Sequence, residues 1–373
     1  MQERCYFYQV ATFFVGQKSR FLLLIGLWTV LSTAAQETPE LPLSPIPAED
    51  LPSAYRYDKD LLTPEFHRGR REALRELLPD SAVAVFFANP VRNRSNDVDY
   101  EYHQDPNFYY LSGLREPHAM LMVFKEPVTI DSVVTNELIF VRPRNTVAES
   151  WSGRRLGLDG VRQVLQVATV RSNNDFAGMA FDVSTFNKVF YLAPQDDVRD
   201  NPFHRGDLFS LVKHFRARLG DKDDPKSGEA LKEFMARLRQ NKQPEELQLM
   251  VQAINFTCQA QKALMRAITP GMPEYEAEAI IEYTFKKNGA EHEGFPSILG
   301  GGENSCILHY TANRKPLKNR DLLVCDVGAE YHGYTADVTR TIPVDGTFSE
   351  QEKAIYQLVL DAQLAGIEAA RQG

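Results

Sequence analysis

Apolar residues recur along this chain in two rhythms. Between 65 and 78, Phe66, Leu74, Leu77 and Leu78 fall at helical spacing and predict a helix with one buried stripe. SAVAVFFA at 81–88 is short, β-branched and closed by Asn89-Pro90, the pattern of a buried strand. FYYLSG at 108–113, AMLMVF at 119–124 and ELIFV at 137–141 repeat that pattern, and helical spacing returns over 159–167 and 207–219. Strands interleaved with helices predict an α/β domain over 61–222. The charged loop GDKDDPKSG at 220–228 marks its border. Pro244-Glu245-Glu246 then opens a long helix as the helix dipole favours, with Leu247, Met250, Ile254, Leu264 and Ile268 as its stripe and Pro270-Gly271 as its stop. A second helix is expected over 273–288, then strands over 305–310, 321–328 and 333–342, then a helix from 349 onward. The second domain runs over 223–373.

The first 35 residues follow neither rhythm. Lys18 and Arg20 precede FLLLIGLWTVL at 21–31, too short for the roughly 20 residues that span a bilayer. Small residues follow, STAA at 32–35, as in a signal peptide cleaved after Ala35. A buried N-terminal helix is the alternative. Export to the periplasm or outside the cell is expected, with no stable membrane anchor. Residues 36–60 carry Pro39, Pro42, Pro45, Pro47 and Pro52 and predict an extended linker or strap.

With 373 residues and 43% hydrophobic content, the chain can bury two cores. Lys and Arg total 42 against 50 Asp and Glu, a net charge of −8 without a basic block, which excludes nucleic acid as an expected partner. Cys258, Cys306 and Cys325 show no metal or redox spacing and read as small buried apolar residues.

The candidate chemistry lies between 321 and 343. A hairpin turning at Tyr331-His332 would set Asp326 opposite Asp337, on one face with Cβ atoms about 5 Å apart. Val324, Cys325, Val327 and Val338 surround them with apolar side chains. Two unpaired carboxylates buried there would cost several kcal/mol, which a pair of divalent cations would offset. Arg340 or Arg314 could neutralise them instead, and an Asp before Gly is often a turn residue. His309 reads equally as a structural or a catalytic histidine.

The motifs GGENSCILHY at 301–310, DVG at 326–328 and YHGYTADVTRT at 331–341 resemble the core of aminopeptidase P, the Xaa-Pro aminopeptidases. DPNFYYLSGLREP at 105–117 and ESWSGRRLG at 149–157 resemble the N-terminal domain of that family. The resemblance implies an α+β chain: an α/β N-terminal domain of the creatinase/aminopeptidase P type, followed by the first half of a pita-bread metallopeptidase domain. It implies release of the N-terminal residue from Xaa-Pro peptides by a water activated between two divalent ions, commonly Mn²⁺. Asp326 and Asp337 match metal ligands and His309 a catalytic histidine. Phe295, Trp151 and Asp97 match substrate-site positions, the last two in homo-oligomeric members. A further His and two Glu ligands of the family fall beyond Gly373, so the chain reads as an incomplete product of doubtful activity. A prolidase-type dipeptidase and a non-catalytic peptide-binding module on the same fold remain alternatives.

Overall fold

The computed structural model describes residues 44–371 except 195–197, 202 and 225. The expected leader and the start of the proline-rich linker lie outside the described residues. From Pro45 the linker is a strap with local structure, not an extended tether. It forms a single 3₁₀ turn, Ala48–Asp50, and helix α1, Ser53–Tyr57, entered from Pro52. Tyr55 fastens it, its hydroxyl donating to Gly113 O at 2.9 Å and accepting from Arg115 N at 3.0 Å.

Helix α2, Pro64–Leu77, starts where Thr63 caps the Phe66 N–H and Pro64 occupies the first turn. The strands β1 (Ala82–Phe87), β2 (Asn93–Ser95) and β3 (Val98–Asp99) follow. FYYLSG is not a strand but helix α3, Pro106–Ser112: the Asp105 carboxylate accepts from Asn107 N and Phe108 N, and Gly113 stops the helix at φ 71°. Next come β4 (Met120–Ile130), β5 (Val133–Val141), α4 (Thr146–Ser152), α5 (Gly157–Val164), β6 (Val170–Ser172), β7 (Lys188–Tyr191) and α6 (Leu208–Leu219). Five strands form one sheet in the order β6-β5-β4-β1-β7, with β1, β4 and β5 antiparallel and the edges parallel. Every residue of β1 is buried because both faces are covered. Ala82, Ala84 and Phe86 meet α2 and α3 on one side; Val83, Val85 and Phe87 meet α6 on the other.

Helix α7, Lys226–Gln240, begins inside the expected border loop and packs Leu231 and Met235 into the first of these cores. Helices α8 (Pro244–Ala267) and α9 (Glu274–Lys287) cover a third core. The stripe expected on α8 holds at its C-terminal end, where Leu264 and Ile268 are buried, but not at its start: Leu247 and Ile254 are exposed and Met250 half-buried, while Leu249, Ala253, Thr257, Ala260 and Gln261 face inward. Small residues there let backbones approach closely. The strands β8 (His292–Glu293), β9 (Ile298–Gly301), β10 (Leu322–Val327), β11 (Ala329–Tyr331), β12 (Tyr334–Thr335) and β13 (Val338–Pro343) make two three-stranded sheets, β13-β10-β9 and β12-β11-β8. Helix α10, Glu350–Ala369, follows. The strand expected at 305–310 is instead a 3₁₀ helix, Gly302–Cys306, and a turn. Among the described residues no helix is long and apolar enough to cross a membrane.

Candidate metal centre on a β-hairpin

The hairpin's two-residue turn is His332-Gly333, both at positive φ (48° and 84°), with Tyr331 opposite Tyr334. This shifts the expected register by two: Asp326 faces Thr339, and Asp337 does not face Asp326 but lies diagonally across. A shift of two preserves the face. Asp326, Gly328 and Glu330 therefore share one face with Thr335, Asp337 and Thr339, and the Asp326 and Asp337 carboxyl groups still meet. Burial and the adjacent Asp326 charge raise the Asp337 carboxyl above its ordinary value. Thr339 Oγ1 donates to Asp326 Oδ1 at 2.7 Å.

The apolar surroundings lie on the other face. Cys325, Val327 and Ala329 are fully buried, whereas Asp326 is half-buried and Asp337 exposed. Charge neutralisation is thus not forced by burial, as the sequence suggested, because solvent reaches the acids. Neither acid takes a guanidinium: Arg340 donates to Thr339 O, Arg314 lies over the Tyr275 ring, and among the described residues no ion pair joins Asp326 or Asp337. Helix α8 holds the ribbon from its apolar side. Thr257 Oγ1 accepts from Ala329 N at 3.0 Å, and Gln261 Nε2 donates to Cys325 O and Val338 O at 3.1 and 3.0 Å.

Phe295 lies beside the pair: a Cβ on Gly328 would come within 3.1 Å of its ring. His309 sits in an exposed turn, and among the described residues no hydrogen bond joins it to either acid. The loop carrying it is fixed by the fully buried Glu274, which accepts from Gly301 N, Asn304 Nδ2, Tyr310 Oη and Lys315 N at 2.8–3.1 Å. Trp151 is 90% exposed on α4, which removes simple core packing as its role, and Asp97 is exposed in the β2–β3 turn. Neither is brought to the acid pair. The cysteines differ from their expected uniformity: Cys325 is buried, Cys258 half-buried and Cys306 exposed.

A second cluster, at the hairpin tip, was not anticipated from sequence. His332 is 2% exposed and turns both ring nitrogens on carboxylates, Nδ1 to Glu291 Oε1 at 2.7 Å and Nε2 to Asp60 Oδ1 at 3.0 Å. Tyr331 Oη donates to Asp60 Oδ2 at 2.7 Å, and Arg115 pairs with Glu291 at 2.6 Å and Asp58 at 3.7 Å. Burial alone would lower the His332 pKa; the two carboxylates outweigh it and raise it. Burial would raise Glu291, but His332 and Arg115 hold it down at about 2. Asp58, Glu291 and His332 could offer ligand atoms to one ion, but Arg115 already stands there as the cation. Beside this cluster a cavity of about 330 Å³ is lined by Tyr102, His103, Tyr109, Arg115, His292 and Glu330, with His103 Nε2 2.7 Å from Glu330 Oε1. The one local signal was His332-Gly333 as a turn pair; the partners are 41 and 272 positions away.

Two family descriptions match the chain, "Aminopeptidase P, N-terminal domain" over residues 67–189 and "Metallopeptidase family M24" over 248–373. The Xaa-Pro aminopeptidase of Escherichia coli is 33% identical over 83% of this chain and 68% of its own length; that of Haemophilus influenzae is 34% identical over 82% and 66%. This chain thus spans about two thirds of the length of these relatives. Zinc-substituted E. coli aminopeptidase P in complex with product superposes with a TM-score of 0.72 at 29% identity, covering 84% of this chain and 70% of that one. Proline aminopeptidase P II from Yersinia pestis gives 0.70 at 29% identity over the same shares. A five-stranded domain strapped to a helix-backed hairpin of paired aspartates, in this order along the sequence, belongs to the Xaa-Pro aminopeptidase (aminopeptidase P) family of M24 metallopeptidases.

Proposed function

We propose that the whole protein releases the N-terminal residue from peptides whose second residue is proline, with Asp326 and Asp337 as the carboxylate arm of a centre for two divalent ions, Mn²⁺ first. The observation that carries this reading is the meeting of two aspartates on one ribbon face with, among the described residues, no guanidinium or ammonium paired to either. Their oxygens suit a hard or borderline cation. Ions held there would polarise a water and the scissile carbonyl.

The chain's own residues do the rest. Thr339 orients Asp326 by donating its hydroxyl proton to Oδ1, with the carboxylate turned toward Asp337. Phe295 supplies an apolar wall beside Gly328, suited to a proline ring. Proline lacks the amide N–H that other peptides offer, so recognition rests on ring shape and on the carbonyls that flank it. His309, held by a loop whose geometry Glu274 fixes, is the donor for such a carbonyl. Trp151 and Asp97, exposed on the first domain, are available to a neighbouring copy.

The test is hydrolysis of an Xaa-Pro-Xaa peptide with added Mn²⁺, followed by release of the free amino acid. Turnover should stop with a chelator and in Asp337→Ala, whose circular dichroism should match the parent. Turnover that persists in Asp337→Ala overturns the ligand assignment, and turnover that persists with chelator overturns the metal reading.

A further inference from the structure

The hairpin bearing the acids is built in two parts. Its base, β10 and β13 with β9, packs Leu323, Cys325, Val327 and Ile342 into the third core. Beyond Ala329 the tip, β11 and β12 with β8, packs Tyr331 and Tyr334 against the edge of the first core and Tyr331 against Phe256 of α8, and is otherwise tied by polar contacts to other elements. His103 pairs with Glu330, Tyr334 Oη donates to Glu246 Oε1 at 3.0 Å, Arg115 pairs with Glu291, and Asp60 receives Tyr331 and His332. Asp326 belongs to the base. Ala336 and Asp337 fall between β12 and β13, at the joint, with Asp337 three register pairs or about 10 Å from the turn. The spacing of the two carboxyl groups therefore depends on how the tip is held against the base.

We propose that Asp60, His332 and Glu291 form a proton-dependent clamp on the hairpin tip, and that these positioning residues set Asp337 against Asp326. The proposal rests on the reading of that pair as a metal centre. An imidazolium has two N–H donors, and here each meets a carboxylate. Neutral imidazole keeps one; its other nitrogen then turns a lone pair on a carboxylate oxygen within 3.0 Å. The charged and titratable groups facing His332 are Glu291 from the segment before β8, Asp58 and Asp60 from the strap, Arg115 from the segment after α3, and its neighbour Tyr331. Glu291 retains Arg115 and the His332 backbone N–H when the imidazole loses its proton; Asp60 retains Tyr331 and its own backbone N–H but, among the described residues, no cation. The clamp opens at Asp60. Because the His332 pKa is raised in the fold, its contribution is full below the ordinary value of about 6.5 and is lost as pH climbs through the higher folded value.

Amide hydrogen exchange over 329–337, normalised for intrinsic rate, tests this at pH 6 and pH 8.5, with Mn²⁺ affinity read in parallel from the free-ion EPR signal. Protection in the parent chain should fall at least severalfold between the two pH values. Asp60→Asn and His332→Asn, the latter retaining a residue that accepts the left-handed turn, should be weakly protected at both and lose the pH dependence. A merely structural contact would lower protection equally at both pH values and leave the slope. Mn²⁺ affinity at pH 6 should fall severalfold in Asp60→Asn. Protection that is flat with pH in the parent, or unchanged in Asp60→Asn, overturns the clamp. Protection that follows the clamp while Mn²⁺ affinity does not overturns its positioning role. Mn²⁺ binding indifferent to Asp337→Ala sinks the metal reading instead, without touching the exchange result.

Discussion

Gly328→Ala is the substitution that most sharply tests the hairpin. A Cβ on Gly328 would stand 1.7 Å from the Ala336 carbonyl oxygen, 2.7 Å from its carbon and 3.1 Å from Phe295 Cε1. Ordinary contact needs about 3.4 Å, so the opposing strand must retreat by about 1.7 Å. What it meets is backbone, and that backbone is one peptide from Asp337, in the joint between the two small sheets. Overpacking of a well-filled site costs about 1–3 kcal/mol, and a backbone collision belongs at the upper end. At about 2–4 °C per kcal/mol for a domain of this size, the thermal midpoint should drop by roughly 6–12 °C. Calorimetry with and without Mn²⁺ reads both halves of the claim, because the displaced Asp337 should also forfeit any shift that Mn²⁺ gives the parent. A variant that melts within 1–2 °C of the parent, or keeps the full Mn²⁺ shift, refutes the pairing of Asp326 with Thr339 and the close approach of Gly328 to Ala336.

Glu137→Gln leaves the guanidinium of the fully buried Arg71 without its bidentate partner, held now at 2.7 and 3.1 Å, and should cost about 3–5 kcal/mol, seen as a lower urea midpoint. A loss below about 1 kcal/mol contradicts that. Burial and the nearby Glu293 and Glu278 push the Glu282 carboxyl up to about 7, so the folded chain binds more protons than the unfolded one between its ordinary value of 4.5 and 7. Stability should accordingly decline as pH rises through that window, and Glu282→Gln should flatten the decline and melt higher than the parent at pH 8. Native thiol labelling should reach exposed Cys306 first and leave Cys325, which burial pushes up to about 12, unmodified until the chain unfolds; early mass-mapped labelling of Cys325 would contradict its burial.

The acid pair was legible because strand periodicity is two. A turn at Tyr331-His332 sets the pairing two positions from the observed one, yet leaves Asp326 and Asp337 on one face. Glycine at the second turn position was the signal that would have corrected it. Helix α3 was hidden by aromatic residues that favour strands, although Asp105-Pro106 and Gly113 bracketed it as cap and stop. On α8 Leu247 and Ile254 misled, since the inward face there mixes Leu249 with small alanines and with Thr257 and Gln261, whose side chains bond the ribbon's backbone. Asp60, Arg115 and Glu291 could not be linked to His332 beforehand, because only the folded topology brings the strap, α3 and the hairpin together.

Glu274 has a consequence for the kind of site this is. Its carboxylate answers four donors in the loop from Gly301 to Lys315, so both oxygens are spent and the loop's shape is decided during folding. The segment bearing His309 needs no visitor to organise it: the conformational entropy of that stretch is lost once, when the chain folds, and under the proposed function it is not lost again on binding a peptide. An amide in its place would point hydrogens at hydrogens, and the resulting slack would emerge as weaker binding before it emerged as unfolding.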